Sequence, residues 1–261
     1  MRERSSQISR SAYCENKAMT VQPHFLDPSK KKELWPKCEK VLQLENFDKL
    51  PQYSAVCLFD NVDDRQAFLG SYALGKEFCG FFRTLREPLS RNEYWPRDIL
   101  QHIRDDTGQL YDVVIYLRQR TCQSEVGTVI TFAHELQHFM QYGFSRKVWS
   151  ANHCIKDLPE IWRKKLPPWS LPYEYEAQLV SKRSAERVFD KKMVELFAKQ
   201  RKEAKSDPKK WEFFLGLNVQ ESFNLLQRTI ELVDENREAL LERFPAKINI
   251  GIDFAKERWW E

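Results

Sequence analysis

Between Val126 and Tyr142 the only formally charged residue is Glu135, although charged residues make up 31% of the chain. A helical stretch of this kind has no face suited to water, so other elements of the fold must bury it. Gly143 offers the left-handed residue that closes such a helix. No run of apolar residues approaches the roughly 18 needed to span a bilayer, so the helix belongs in a core and not in a membrane. His134, Glu135 and His138 lie inside this apolar run. Burying two imidazoles and a carboxylate is costly unless something binds them. The chain must therefore both wrap this helix and satisfy its polar groups.

The rest of the composition suits that task. With 261 residues, 42% of them hydrophobic and 13% aromatic, the chain can bury the core of one domain, with or without an appendage. Lys and Arg (42) nearly balance Asp and Glu (38), a net charge of +4 that argues against an arginine-rich nucleic-acid binder. Only 8 glycines argue against collagen-like or low-complexity sequence. The 6 cysteines, Cys14, Cys38, Cys57, Cys79, Cys122 and Cys154, are dispersed without a CxxC pair, which suits reduced thiols in the cytoplasm. No apolar segment of secretory type follows the N-terminus, and 1–22 is expected to be a flexible leader.

Aromatic and β-branched runs predict short strands over 53–59, 67–74, 78–84 and 111–118. In the last, Tyr111, Val113, Ile115 and Leu117 alternate with Asp112, Val114, Tyr116 and Arg118, and the mixed second face suggests an edge or near-edge strand. Pro96 opens a helix expected over 97–104. Beyond Glu125 the pattern is helical, with helices expected over 126–142, 174–204, 208–217 and 219–244, then a strand-like tail over 248–254. Strands first and helices afterwards predict an α+β fold with a small mixed or antiparallel sheet.

Two motifs suggest chemistry. Gly70 to Lys76 fits the opening of a phosphate-binding loop, but Glu77 stands where a magnesium-binding hydroxyl belongs. The segment that follows reads as strand, so a hairpin is expected and a nucleotide site is rejected. The other motif is His134-Glu135-Leu136-Gln137-His138. Residues four apart share a helix face, so both imidazoles can reach one ion while Glu135 projects toward its open side. A zinc ion there would acidify a water and polarise a carbonyl, with Glu135 as the general base.

Thr131 to Met140 resembles the extended HExxH signature of the zincin superfamily of zinc metallopeptidases. The resemblance implies a zincin-like catalytic domain over 23–205, with helices over 206–261 packed on it as an extension. Gln141 and Phe144 stand where metzincins carry Gly and a third His, which removes that branch. Glu174-Tyr175-Glu176-Ala177-Gln178 looks like the later glutamate helix of gluzincins. The resemblance implies a single zinc ion held by His134, His138 and Glu174. Glu176 is a rival third ligand, and Cys122, His153 and Cys154 are further alternatives. Gln178 stands where relatives carry an Asp or Asn that orients a ligand imidazole. His153, Tyr142 and Tyr175 are candidate oxyanion donors, and the strand bearing Tyr111, Val113, Ile115 and Leu117 is the candidate for aligning an extended peptide.

The expectation is a cytoplasmic, zinc-dependent peptidase acting on a protein or peptide, with narrow specificity for a regulatory protein suggested by resemblance to small soluble relatives. No nucleic-acid or membrane partner is expected. The alternative is a catalytically weak or inactive zincin-fold module that binds proteins, motivated by Gln178. A helical interaction protein without metal is a third reading, motivated by the long charged helices after residue 180.

Overall fold

The computed structural model describes residues 21–45, 54–59, 80–85, 97–118, 124–144, 171–204 and 208–224. The expected strand over 67–74, the segment Gly70 to Glu77, the loop with His153 and Cys154, Cys122, and everything after 224 lie outside the described residues. Strand β1 (Val21–Phe25) takes in two residues of the expected leader. The Asp27 carboxylate accepts from the Ser29 amide (3.0 Å) and hydroxyl (2.7 Å), turning the chain into helix α1 (Lys31–Leu44). Strand β2 (Ala55–Phe59), strand β3 (Gly80–Thr84), the short helix α2 (Arg97–Leu100) and strand β4 (Val113–Leu117) follow. Then come helices α3 (Glu125–Phe144), α4 (Pro172–Val188), α5 (Lys191–Glu203) and α6 (Pro208–Gly216).

The fold is α+β around a small mixed sheet in the order β1-β2-β4-β3. β1, β2 and β4 run parallel, and β3 pairs antiparallel with β4. Every residue of β2 and β4 is buried. Ala55, Cys57, Phe59, Val113, Ile115 and Leu117 join the main core with α1, α3, α4, α5 and α6. Val56, Leu58, Val114 and Tyr116 pack with Phe81, Ile99 and Ile103 in a second core on the other face. Central parallel strands covered on both faces are expected to be this apolar.

That arrangement corrects the reading of 111–118. β4 lies between β2 and β3, so its backbone donors and acceptors are already used and it cannot align a peptide through Tyr111, Val113, Ile115 and Leu117. Tyr111 precedes the strand and packs against the Val114 side, not the Val113 side. The mixed alternation arose because α2 and the turn after it cover the second face. Among the described strands, the antiparallel edge is β3.

The helix expected over 174–204 is also divided, into α4 and α5. Asp190 lies between them at φ 137, and its carboxylate accepts from the Met193 amide at 2.8 Å to cap α5. An Asp that bonds nearby backbone competes with helix continuation, and here it wins without any Gly or Pro. Among the described residues no helix is long and apolar enough to cross a membrane.

β3 lies against α3 through Gly80. A Cβ added there would stand 2.6 Å from the Tyr116 carbonyl oxygen and 2.9 Å from Thr131 Cγ2, one helical turn before His134. Gly80→Ala should therefore destabilise the protein by about 1–3 kcal/mol in chemical denaturation, because a carbonyl in the sheet cannot step aside. An unchanged or raised stability would show that β3 does not press on α3 this closely.

Candidate metal centre

α3 and α4 pack against each other along much of their length, with small Ala177 fully buried. This brings Glu174, in the first turn of α4, onto the stripe of α3 that carries His134 and His138. Glu174 Oε2 stands 3.3 Å from His134 Nε2 and 3.6 Å from His138 Nε2, and the two Nε2 atoms are 3.1 Å apart. Three ligands of a tetrahedral ion with bonds of about 2.0–2.1 Å are separated by about 3.3 Å, so these atoms match one face of such a site. His134, His138 and Glu174 can hold a metal ion.

Exposure distinguishes the ligands. The His138 side chain is 7% exposed, against 17% for His134 and 22% for Glu174. The site is thus closed behind His138 and partly open beside the other two, as a centre with three protein ligands and a free position requires. Glu135, next in chain to His134, is buried on the same helix. Burial pushes its carboxyl above the ordinary value, against the pull of His134 and His138.

Without an ion, the ligands hold one another. Burial disfavours the His138 imidazolium, but the charge and hydrogen bond of Glu174, with help from Glu135 and Gln141, lift its pKa to about 9. Burial likewise opposes the Glu174 carboxylate, and the two imidazoles overcome it and hold its pKa well below the usual range.

Behind the ligands stands a residue that sequence reasoning used only to remove the metzincin branch. Gln141 Oε1 lies 2.9 Å from His138 Nδ1, while its Nε2 donates to the Tyr173 carbonyl (2.9 Å) and to Glu176 Oε2 (2.6 Å). Gln141 is one turn beyond His138, so a polar residue continuing the stripe 134, 138, 141 was the available signal. Gln178, expected in the orienting role, is buried but bonds neither imidazole. Glu176, the rival ligand, faces Gln141, and burial lifts its pKa to about 7. The Tyr175 hydroxyl donates to the Asn218 carbonyl (3.0 Å) and accepts from its amide (3.1 Å). That pairing anchors the segment after α6 and removes Tyr175 as an oxyanion donor. Tyr142 belongs to the last turn of α3, but its side chain lies outside what is described, as does His153.

A proton must leave before a metal can enter. With His138 near 9, metal uptake at pH 7 should release about one proton from this residue. Calorimetry of zinc binding in two buffers of different ionisation enthalpy checks it, and release of no proton would contradict the His138–Glu174 pairing. The metal-free protein has its own pH signature. The raised His138 contributes stability that is full below 6.5 and lost as pH rises through about 9. The lowered Glu174 contributes stability that is full above 4.5 and lost as pH falls. The melting difference between metal-free wild type and Glu174→Gln should be largest between these limits and shrink on either side.

No protein-family model, curated protein or solved structure matches this chain.

Proposed function

We propose that this protein is a zinc-dependent peptidase of gluzincin type, with a zincin-like fold around α3 and α4. The observation that carries the reading is the convergence of His134, His138 and Glu174 on one point beside the buried carboxylate of Glu135. Two imidazoles and one carboxylate suit a borderline-soft divalent ion that keeps an open position.

When bound, zinc supplies Lewis acidity toward a water and a scissile carbonyl. The chain's own groups do the rest. His134, His138 and Glu174 would hold the ion, and the partly exposed side of the cluster would be left for substrate. The Glu135 carboxylate accepts a proton from the attacking water and returns it to the amide nitrogen as the C–N bond breaks. β3, the antiparallel edge among the described strands, packs beside α3 and is the strand along which an extended peptide would lie. The substrate is a protein or peptide, with narrow specificity for a regulatory protein, and the dispersed cysteines support a cytoplasmic setting. The alternative, an inactive binding module, drew its motivation from Gln178. Gln141 supplies the imidazole partner that Gln178 does not.

Purified wild type should contain one zinc per chain by plasma mass spectrometry, and His138→Ala and Glu174→Ala should contain little. Glu135→Gln should keep its zinc and lose about 10²–10⁴-fold in cleavage of a quenched-fluorescent peptide library. Cleavage undiminished in a zinc-loaded Glu135→Gln protein would end the proposed mechanism. Zinc retained in Glu174→Ala would move the third ligand elsewhere.

A further inference from the structure

We infer that Gln141 is a positioning residue that sets both halves of the metal site at once, by fixing which nitrogen of His138 faces the ion and by holding α4 where it delivers Glu174. The inference rests on the metal-centre reading above.

The nitrogen of an amide side chain carries two hydrogens, and its oxygen only accepts. Gln141 Nε2 faces the Tyr173 carbonyl at 2.9 Å and Glu176 Oε2 at 2.6 Å. The Tyr173 carbonyl can only accept, so the nitrogen belongs on that side, and its second hydrogen faces Glu176. The amide oxygen must then face His138 Nδ1, 2.9 Å away. An acceptor there requires Nδ1 to carry a hydrogen. Nε2, directed at His134 and Glu174, is therefore the nitrogen whose lone pair a metal can take once its proton has left. Turning the amide over would set its oxygen against the Tyr173 carbonyl and favour the wrong tautomer. Gln141 is only 6% exposed, so water cannot cheaply repair that mismatch.

The second half concerns α4. Tyr173 and Glu176 flank Glu174 in sequence, and Leu171 at the N-cap provides no side-chain hydrogen bond. The first turn of a helix without a capping side chain is prone to fray. Gln141 reaches across from α3 and holds this turn at both a backbone and a side-chain acceptor. The same amide that orients one ligand thereby sets the register of the other.

The test compares zinc dissociation constants, measured by competition with a chromophoric chelator, for wild type and two variants. Gln141→Met keeps the length and loses every hydrogen bond. The exchange Gln141→Glu with Glu176→Gln keeps an acceptor on Nδ1 and a donor-acceptor pair between the two side chains, and gives up only the donor to the Tyr173 carbonyl. Gln141→Met should weaken zinc binding about 10–100-fold, and the exchange, which restores the acceptor on Nδ1 but not the donor to the Tyr173 carbonyl, should recover part of it. Nitrogen-15 spectra of the zinc-loaded protein should show a slowly exchanging His138 Nδ1–H in wild type and in the exchange variant, but not in Gln141→Met. Should Gln141→Met fail to fold, Gln141→Asn, too short for its acceptors, carries the same expectation. Wild-type affinity and a protected Nδ1–H in a folded Gln141→Met or Gln141→Asn protein would overturn the inference alone. A folded exchange variant that binds no better than Gln141→Met would do so as well. A wild-type protein that binds no zinc would overturn the metal-centre reading, and the inference with it.

Discussion

Burial of polar groups between two helices governs this structure. His138 and Glu174 are each opposed by desolvation in their charged forms, and each keeps its charge because the other is there. Neither is tolerable alone at this depth, since an unpaired buried charge costs far more than the pair. The consequence is mechanical as well as electrostatic. Glu174 must arrive at the α3 stripe at a fixed height, so the packing of α3 on α4, with Ala177 allowing close approach, is specified by the polar cluster as much as by apolar area. A divalent ion would take the place of the excess proton in that cluster and draw the same three atoms together.

The sheet provides the rigid floor on which this happens. β2 and β4 are buried on both faces, and their outward residues meet Ile99 and Ile103 instead of water. α3 rests on the opposite face and is touched by β3 through Gly80, close to the turn that carries His134. Strand and ligand helix cannot slide freely past each other at such a contact. Among the described strands the edge strand β3 is thus fixed against α3 about one turn from His134.

The site is also asymmetric in a useful way. His138 is enclosed, braced by Gln141, and tied through it to Tyr173 and Glu176, whereas His134 and Glu174 retain contact with solvent. A rigid buried side and an accessible opposite side are what separate a centre built to react from one built only to hold a fold together. Glu135, next in the chain to the more accessible His134, is itself buried.

The sequence by itself determined the elements whose reasons are local. An almost uncharged helix with imidazoles at 134 and 138, a later helix beginning near Glu174, and the apolar runs that became β2, β3 and β4 were legible from spacing and pattern. Where competition was local but subtle, as at Asp190, reading the pattern as one helix missed the break. Only the tertiary structure decided the questions that depend on what lies opposite. The mixed alternation of 111–118 leaves edge and near-edge positions both open, and the pairing of β4 with β3 decides for the second, because periodicity records burial and not the element that supplies it. Tyr175 reads as a reactive hydroxyl until Asn218 occupies it. Gln178 and Gln141 are equally plausible partners for an imidazole on paper. The crossing of α3 over α4 decides between them, because a hydrogen bond needs its acceptor within about 3 Å and no spacing along one helix fixes a distance to another.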